Sequence, residues 1–123
     1  MKIMISTISQ IGPTEYEIKL RENLKIDDGY EGCLNFREET IYIDKVLPAD
    51  RRMVVLLHEI IHQIDSVYEC NLDESTISRL ASGWAEFFKN NLNLSFDWTN
   101  IMEVQNEGDK YGTIRERKDC TLQ

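Results

Sequence analysis

The sequence predicts an α+β fold in which a short N-terminal antiparallel sheet packs on an αα-hairpin. Three observations predict it. Apolar residues alternate with polar ones in short runs before residue 45, recur at spacings of three and four from 49 to about 91, and switch between two such helical patterns across only Asn71-Leu72-Asp73. Helices joined by so short a break pack antiparallel.

Each element can be justified in order. Ile3, Ile5 and Ile8 form a β-branched stretch that stops at the turn dipeptide Gly12-Pro13. Tyr16, Ile18 and Leu20 then alternate with Glu15, Glu17 and Lys19, the pattern of a half-buried strand. Asp27-Asp28-Gly29 reads as a turn. Leu34 and Phe36 alternate in one short run and Ile41 and Ile43 in the next, so a hairpin across Arg37-Glu38-Glu39 is expected. Pro48 opens a helix, since its missing N–H costs nothing in a first turn. From Ala49 to about Cys70, Met53, Leu57, Ile60, Ile64 and Val67 form a stripe that Val54, Leu56 and Ile61 widen, as on a helix buried over much of its girth. Asp73 is a good N-cap for a second helix from Glu74 to about Asn91, with the stripe Ile77, Leu80, Ala81, Trp84, Phe87 and Phe88. Phe96, Trp98, Ile101, Met102 and Val104 suit a short last helix docked on the core. One domain over residues 1–105 and a charged, mobile tail over 106–123 complete the expected organisation.

Composition narrows the classes of function. The chain of 123 residues is long enough for one hydrophobic core, and its 41% hydrophobic and 29% charged content is that of a soluble globular domain. A net charge of −8 does not suit nucleic acid or an anionic membrane surface, both of which call for a basic face. No apolar run reaches the ~18 residues of a membrane span. Polar residues interrupt the Met1–Thr7 stretch too early for a secretory signal. Cys33, Cys70 and Cys120 are odd in number and lack CxxC spacing, so neither a disulfide framework nor a four-cysteine zinc site is expected, and a reducing cytoplasm fits.

The chemistry lies in His58-Glu59-Ile60-Ile61-His62, an HExxH motif in the middle of the longest helical pattern. Residues four apart share one helix face, so His58 and His62 can offer two imidazoles to one metal ion. Glu59, rotated ~100° from His58, can hold a water beside that metal without becoming a ligand. The bland alternative is a pair of core histidines. Both histidines of the chain, however, fall on this one face beside an acid, and burying them without a partner costs several kcal/mol.

With no third histidine, the metal's remaining protein ligand is a carboxylate or a thiolate. Cys70 lies over two turns past His62, too far along the axis, and is read as a small buried hydrophobe or a free thiol. Glu86 falls nearly opposite the second helix's stripe and faces water. Asp73 and Glu74 both begin the second helix beside that stripe. Periodicity slightly favours Asp73, which also serves as N-cap, whereas Glu74 has the longer reach; Glu74 is the expected ligand and Asp73 the alternative. Asp65, on the same face as His58 and His62, either orients a ligand imidazole or pairs with Arg51 or Arg52.

These residues resemble a family. The HExxH motif, followed after eleven residues by Glu74-Ser75-Thr76-Ile77-Ser78-Arg79-Leu80-Ala81, resembles the gluzincin pattern of ImmA/IrrE-type metallopeptidases. The stretch from Thr40-Ile41-Tyr42-Ile43-Asp44 to Asn91 is also similar to small phage and prophage zincin-like proteins. The resemblance spans roughly residues 14–94 and departs at Ser78, where such proteins often carry Asn. It implies a zincin core whose edge strand, here expected at Thr40–Asp44, holds an extended peptide by strand addition. It also implies an oxyanion stabiliser, which must be a tyrosine (Tyr68, Tyr42 or Tyr30) or an arginine because no histidine is spare.

The expected function is therefore a cytoplasmic zinc metallopeptidase of a bacterial or phage-infected cell, acting on a protein or peptide. In it His58, His62 and Glu74 hold one Zn2+ and Glu59 activates water. The alternative is a non-catalytic, zinc-stabilised protein-binding module such as a phage-encoded regulator of a host protein. In that case recognition falls to the acidic surface or the tail.

Overall fold

Seven strands and two helices are present in a computed structural model that describes residues 1–22, 24 and 30–104. In chain order they are β1 (Lys2–Met4), β2 (Ile8–Ile11), β3 (Thr14–Arg21), β4 (Gly32–Asn35), β5 (Thr40–Asp44), α1 (Ala49–Tyr68), α2 (Glu74–Leu92), β6 (Ser95–Asp97) and β7 (Met102–Val104). The turn expected at Asp27-Asp28-Gly29 and the tail expected over 106–123 lie outside the described residues.

Strands form in each expected region, but the stretch from Ile3 to Ile8 divides into β1 and β2 in separate sheets with Ile5 between them, Phe36 falls in the turn after β4, and the larger sheet is mixed rather than antiparallel. Its order is β2-β3-β5-β4, with β7 also beside β3. The β2–β3 and β4–β5 pairs are antiparallel, whereas β3 runs parallel to both β5 and β7. The chain leaves β3, returns as β4 two strand spacings away, and the hairpin then places β5 in the gap. β5 is therefore interior, and the edge strand on its side of the sheet is Gly32–Asn35 rather than the expected Thr40–Asp44. Phe96 to Val104 forms no last helix either. β6 pairs with β1 and β7 with β3, since runs of this length satisfy their backbone groups more readily on an existing strand than in a new helix.

Turn chemistry explains both hairpins. Gly12 takes φ +54 in the β2–β3 turn, and a Cβ there would come within 2.8 Å of Val67 Cγ1. In the β4–β5 turn Glu39 sits at φ 53, and the Glu38 N–H donates to Asn35 Oδ1 at 2.9 Å, so a side-chain acceptor stands in for the missing Asn-Gly pair.

The main core lies between the sheet and α1. Tyr16, Ile18, Leu20, Leu34, Ile41 and Ile43 face Val55 and Leu56 of the helix, and Phe96 and Trp98 close one side. On the opposite sheet face Leu24, Cys33 and Tyr42 form a smaller buried cluster. The Cys33 sulfur is in a disulfide while Cys70 is an exposed free thiol. That bond departs from the expectation of no disulfide framework, so the cysteine count lends no support to a reducing compartment. No described helix is long and apolar enough to cross a membrane.

α2 packs on the outer side of α1. Its buried residues are Ile77, Ala81 and Ala85, while Leu80, Trp84 and Phe87 of the expected stripe remain 41–51% exposed. Small residues at the contact let the two helix axes approach, and this turns the bulkier flank outward. Pro48 occupies the N-cap of α1 rather than its first turn.

Candidate metal centre

Two helices bring three donors together. His58 and His62 project from the middle of α1, four residues and one turn apart, with ring centroids 4.9 Å from each other. Glu74 is the first residue of α2, set there because Asp73 caps the helix by accepting the Thr76 N–H at 2.7 Å. Its carboxylate spans both rings, with Oε2 2.7 Å from His58 Nε2 and Oε1 3.0 Å from His62 Nε2. The candidate ligand atoms of the three residues all lie within 4.8 Å of one another.

The His58 Nε2–Glu74 Oε2 contact lacks hydrogen-bond alignment despite its length, so this buried ring nitrogen has no hydrogen-bond partner. Two imidazole nitrogens and a carboxylate gathered this closely form a group that could hold a metal ion. Burial pushes the His58 imidazole below its ordinary value, with the charges of His62 and Arg51 acting in the same direction and Glu74 opposing. Neutral imidazole is the form that coordinates metal. The histidine side chains are 10% and 11% exposed and Glu74 35%, so solvent reaches the cluster from the Glu74 side.

Glu59 is fully buried on the sheet side of α1. Strand β4 passes close beside it: a Cβ on Gly32 would come within 3.2 Å of Glu59 Oε2 and 2.5 Å of Val55 Cγ1. Only glycine allows the edge strand this approach.

The other sequence candidates are dispersed. Asp73 is occupied as the cap and does not join the cluster. Asp65 neither orients an imidazole nor pairs with Arg51 or Arg52; its Oδ1 accepts the Leu72 N–H at 3.0 Å and fastens the link between the helices. Arg51 pairs with Glu31, while Arg52 donates to the Lys45 and Leu47 carbonyls. Glu86 is exposed, as expected. Among the tyrosines, Tyr42 faces the smaller cluster and donates to Glu38, Tyr30 packs on that same cluster, and Tyr68 reaches toward Gly12. Arg51, two turns before His58, is the cation whose field acts on that histidine.

Two contributors escape a reading by motif. Gly32 lies in a strand with no local signal of its helix contact. Gln63 is buried next to His62, and its amide bonds to Ser9 Oγ at 2.7 Å, Ser9 O at 3.1 Å and Thr14 Oγ1 at 2.9 Å. A polar residue inside a helix's apolar stripe was the available sign. No protein-family model, curated protein or solved structure matches the chain.

Proposed function

We propose that the chain is a zinc-dependent metallopeptidase-like hydrolase of the gluzincin type, with His58, His62 and Glu74 as ligands and Glu59 as general base. The observation that carries this reading is the Glu74 carboxylate lying against both Nε2 atoms of an HExxH helix. When bound, zinc supplies a Lewis acid that brings the pKa of a water to ~7.

The chain's own groups do the rest. His58 and His62 present neutral nitrogens, with the inter-helix link fixing Glu74 opposite them. Glu59, held between α1 and β4, takes a proton from the attacking water and passes it to the departing amine nitrogen. Arg51, two turns before His58 and paired with Glu31, is the cation whose charge acts on that histidine and is the candidate to stabilise an oxyanion.

The test is a comparison of wild type with Glu59→Gln on a panel of unfolded and folded proteins, with metal content measured in parallel. Cleavage by wild type, absent in Glu59→Gln at unchanged zinc, supports hydrolysis. Equal cleavage by both would remove Glu59 from the mechanism. One zinc per chain with no cleavage by either would favour the metal-stabilised binding module instead.

A further inference from the structure

A cavity of about 450 Å³ opens between the two helices, toward the start of α1. Arg51 and Val54 line it from α1, and Ser82, Ala85 and Glu86 line it from α2. It lies along the same helix faces as the histidine cluster. At 100° per residue, Arg51, Val54, His58 and His62 fall within about 80° of α1, and Glu74, Ser82 and Ala85 within about 80° of α2. Cavity and cluster therefore share one inter-helix groove, with Val54 one turn before His58. The charge of Arg51 is accordingly felt at His58.

The charges in this cavity are not all balanced. Arg51 is paired with Glu31, and Lys89, also at the wall, with Asp50 at 2.9 Å. Glu86 and Ser82 are exposed, one turn apart, and neither has a hydrogen bond or ion pair among the described residues. Val54 is partly buried and Ala85 only 3% exposed, so the base between the helices is apolar. An apolar base below one uncompensated carboxylate suits a side chain with a methylene stem and a cationic head.

We propose that this cavity binds a lysine or arginine side chain of a peptide, with Glu86 setting the preference; that the peptide is a substrate rests on the metallopeptidase reading. The stem lies over Val54 and Ala85. The head meets the Glu86 carboxylate and Ser82 Oγ, two acceptors spaced i, i+4 on one helix. An acidic side chain would meet Glu86 with like charge and is disfavoured. One helix turn is ~5.4 Å and extended peptide advances ~3.3 Å per residue, so the basic residue falls within about three positions of the bond cut.

The test uses the whole protein carrying Glu59→Gln, with zinc added, so that peptides are bound without being cut. The probe is an equimolar mixture of random octapeptides, and those retained are sequenced by mass spectrometry. Lys and Arg should be enriched over the input, and the enrichment should fall as salt is raised. Glu86→Lys, at an exposed position, should leave the circular dichroism unchanged and lower the basic-to-acidic ratio at least about tenfold. Ser82→Ala should lower it less. Retention without basic enrichment overturns the proposal, as does failure to retain any peptide, or an enrichment that survives Glu86→Lys. The retained peptides are then offered to wild type. Cleavage within a few residues of the basic position supports both the cavity and the hydrolase, whereas enrichment without cleavage supports the cavity and counts against the hydrolase.

Discussion

Asp73 and Glu74 are consecutive carboxylates with separate destinations: Asp73 Oδ1 accepts the Thr76 N–H at 2.7 Å, while Glu74 Oε2 lies 2.7 Å from His58 Nε2. The first starts the helix and the second faces the histidines from it. Glu74→Ala is therefore expected to lose stoichiometric zinc while keeping its helices. Asp73→Ala should keep zinc and lower Tm by a few degrees, the ordinary effect of a lost N-cap. Zinc analysis beside thermal melts separates the two, and zinc retained in Glu74→Ala would remove that residue from the ligand set.

Glu59→Gln preserves volume in a fully buried position. Zinc content should match wild type, and any hydrolytic activity should fall by at least about a hundredfold, the lower range for loss of a general base.

Gly32→Ala places a methyl 2.5 Å from Val55 Cγ1. Overpacking of this kind costs about 1–3 kcal/mol. The added variant Val55→Ala should recover part of that loss, because it removes the atom in conflict. Urea unfolding of the two single variants and the double variant measures the coupling, and simple additivity would argue against a direct clash.

Acidification of the metal-free protein should lower Tm in two separate windows. His58 titrates below its ordinary 6.5 when folded, so the unfolded chain takes up the proton first. The stabilisation is complete above pH 6.5 and declines as pH falls below it. Asp73 and Asp97, held low by their hydrogen bonds to Thr76 and Thr99, add a second loss only below 3.8. His58→Gln should flatten the first step and leave the second. A Tm that does not change between 6.5 and 3.8 contradicts the His58 contribution.

What could be read from the chain was what depends on near neighbours. The i, i+4 spacing of His58 and His62, the Asp73 cap and the extents of α1 and α2 are set within a turn or two of helix, and the structure reproduces each closely. Strand order is not local. Nothing in Thr40–Asp44 says that it lies between β3 and β4, and nothing in Phe96–Val104 says that strands await it as partners. Side-chain size also misled at α2: Ala81 and Ala85 are buried because they are small, while Trp84 beside them stays half exposed. The Gly32–Glu59 approach joins residues whose proximity exists only once the sheet is assembled.

The bonds of Gln63 to Ser9 and Thr14 bear on more than packing. They fasten α1, one residue past His62, to both strands of the first hairpin, and so fix the angle of the helix about its own axis. At the ~6 Å radius of an imidazole, a 20° roll of the helix moves a ring nitrogen by about 2 Å, whereas metal–ligand distances hold to within about 0.2 Å. The N-terminal hairpin thus acts as a rotational stop for His58 and His62, and if the cluster holds a metal, a change at Ser9 or Thr14 is expected to weaken its binding without touching a ligand.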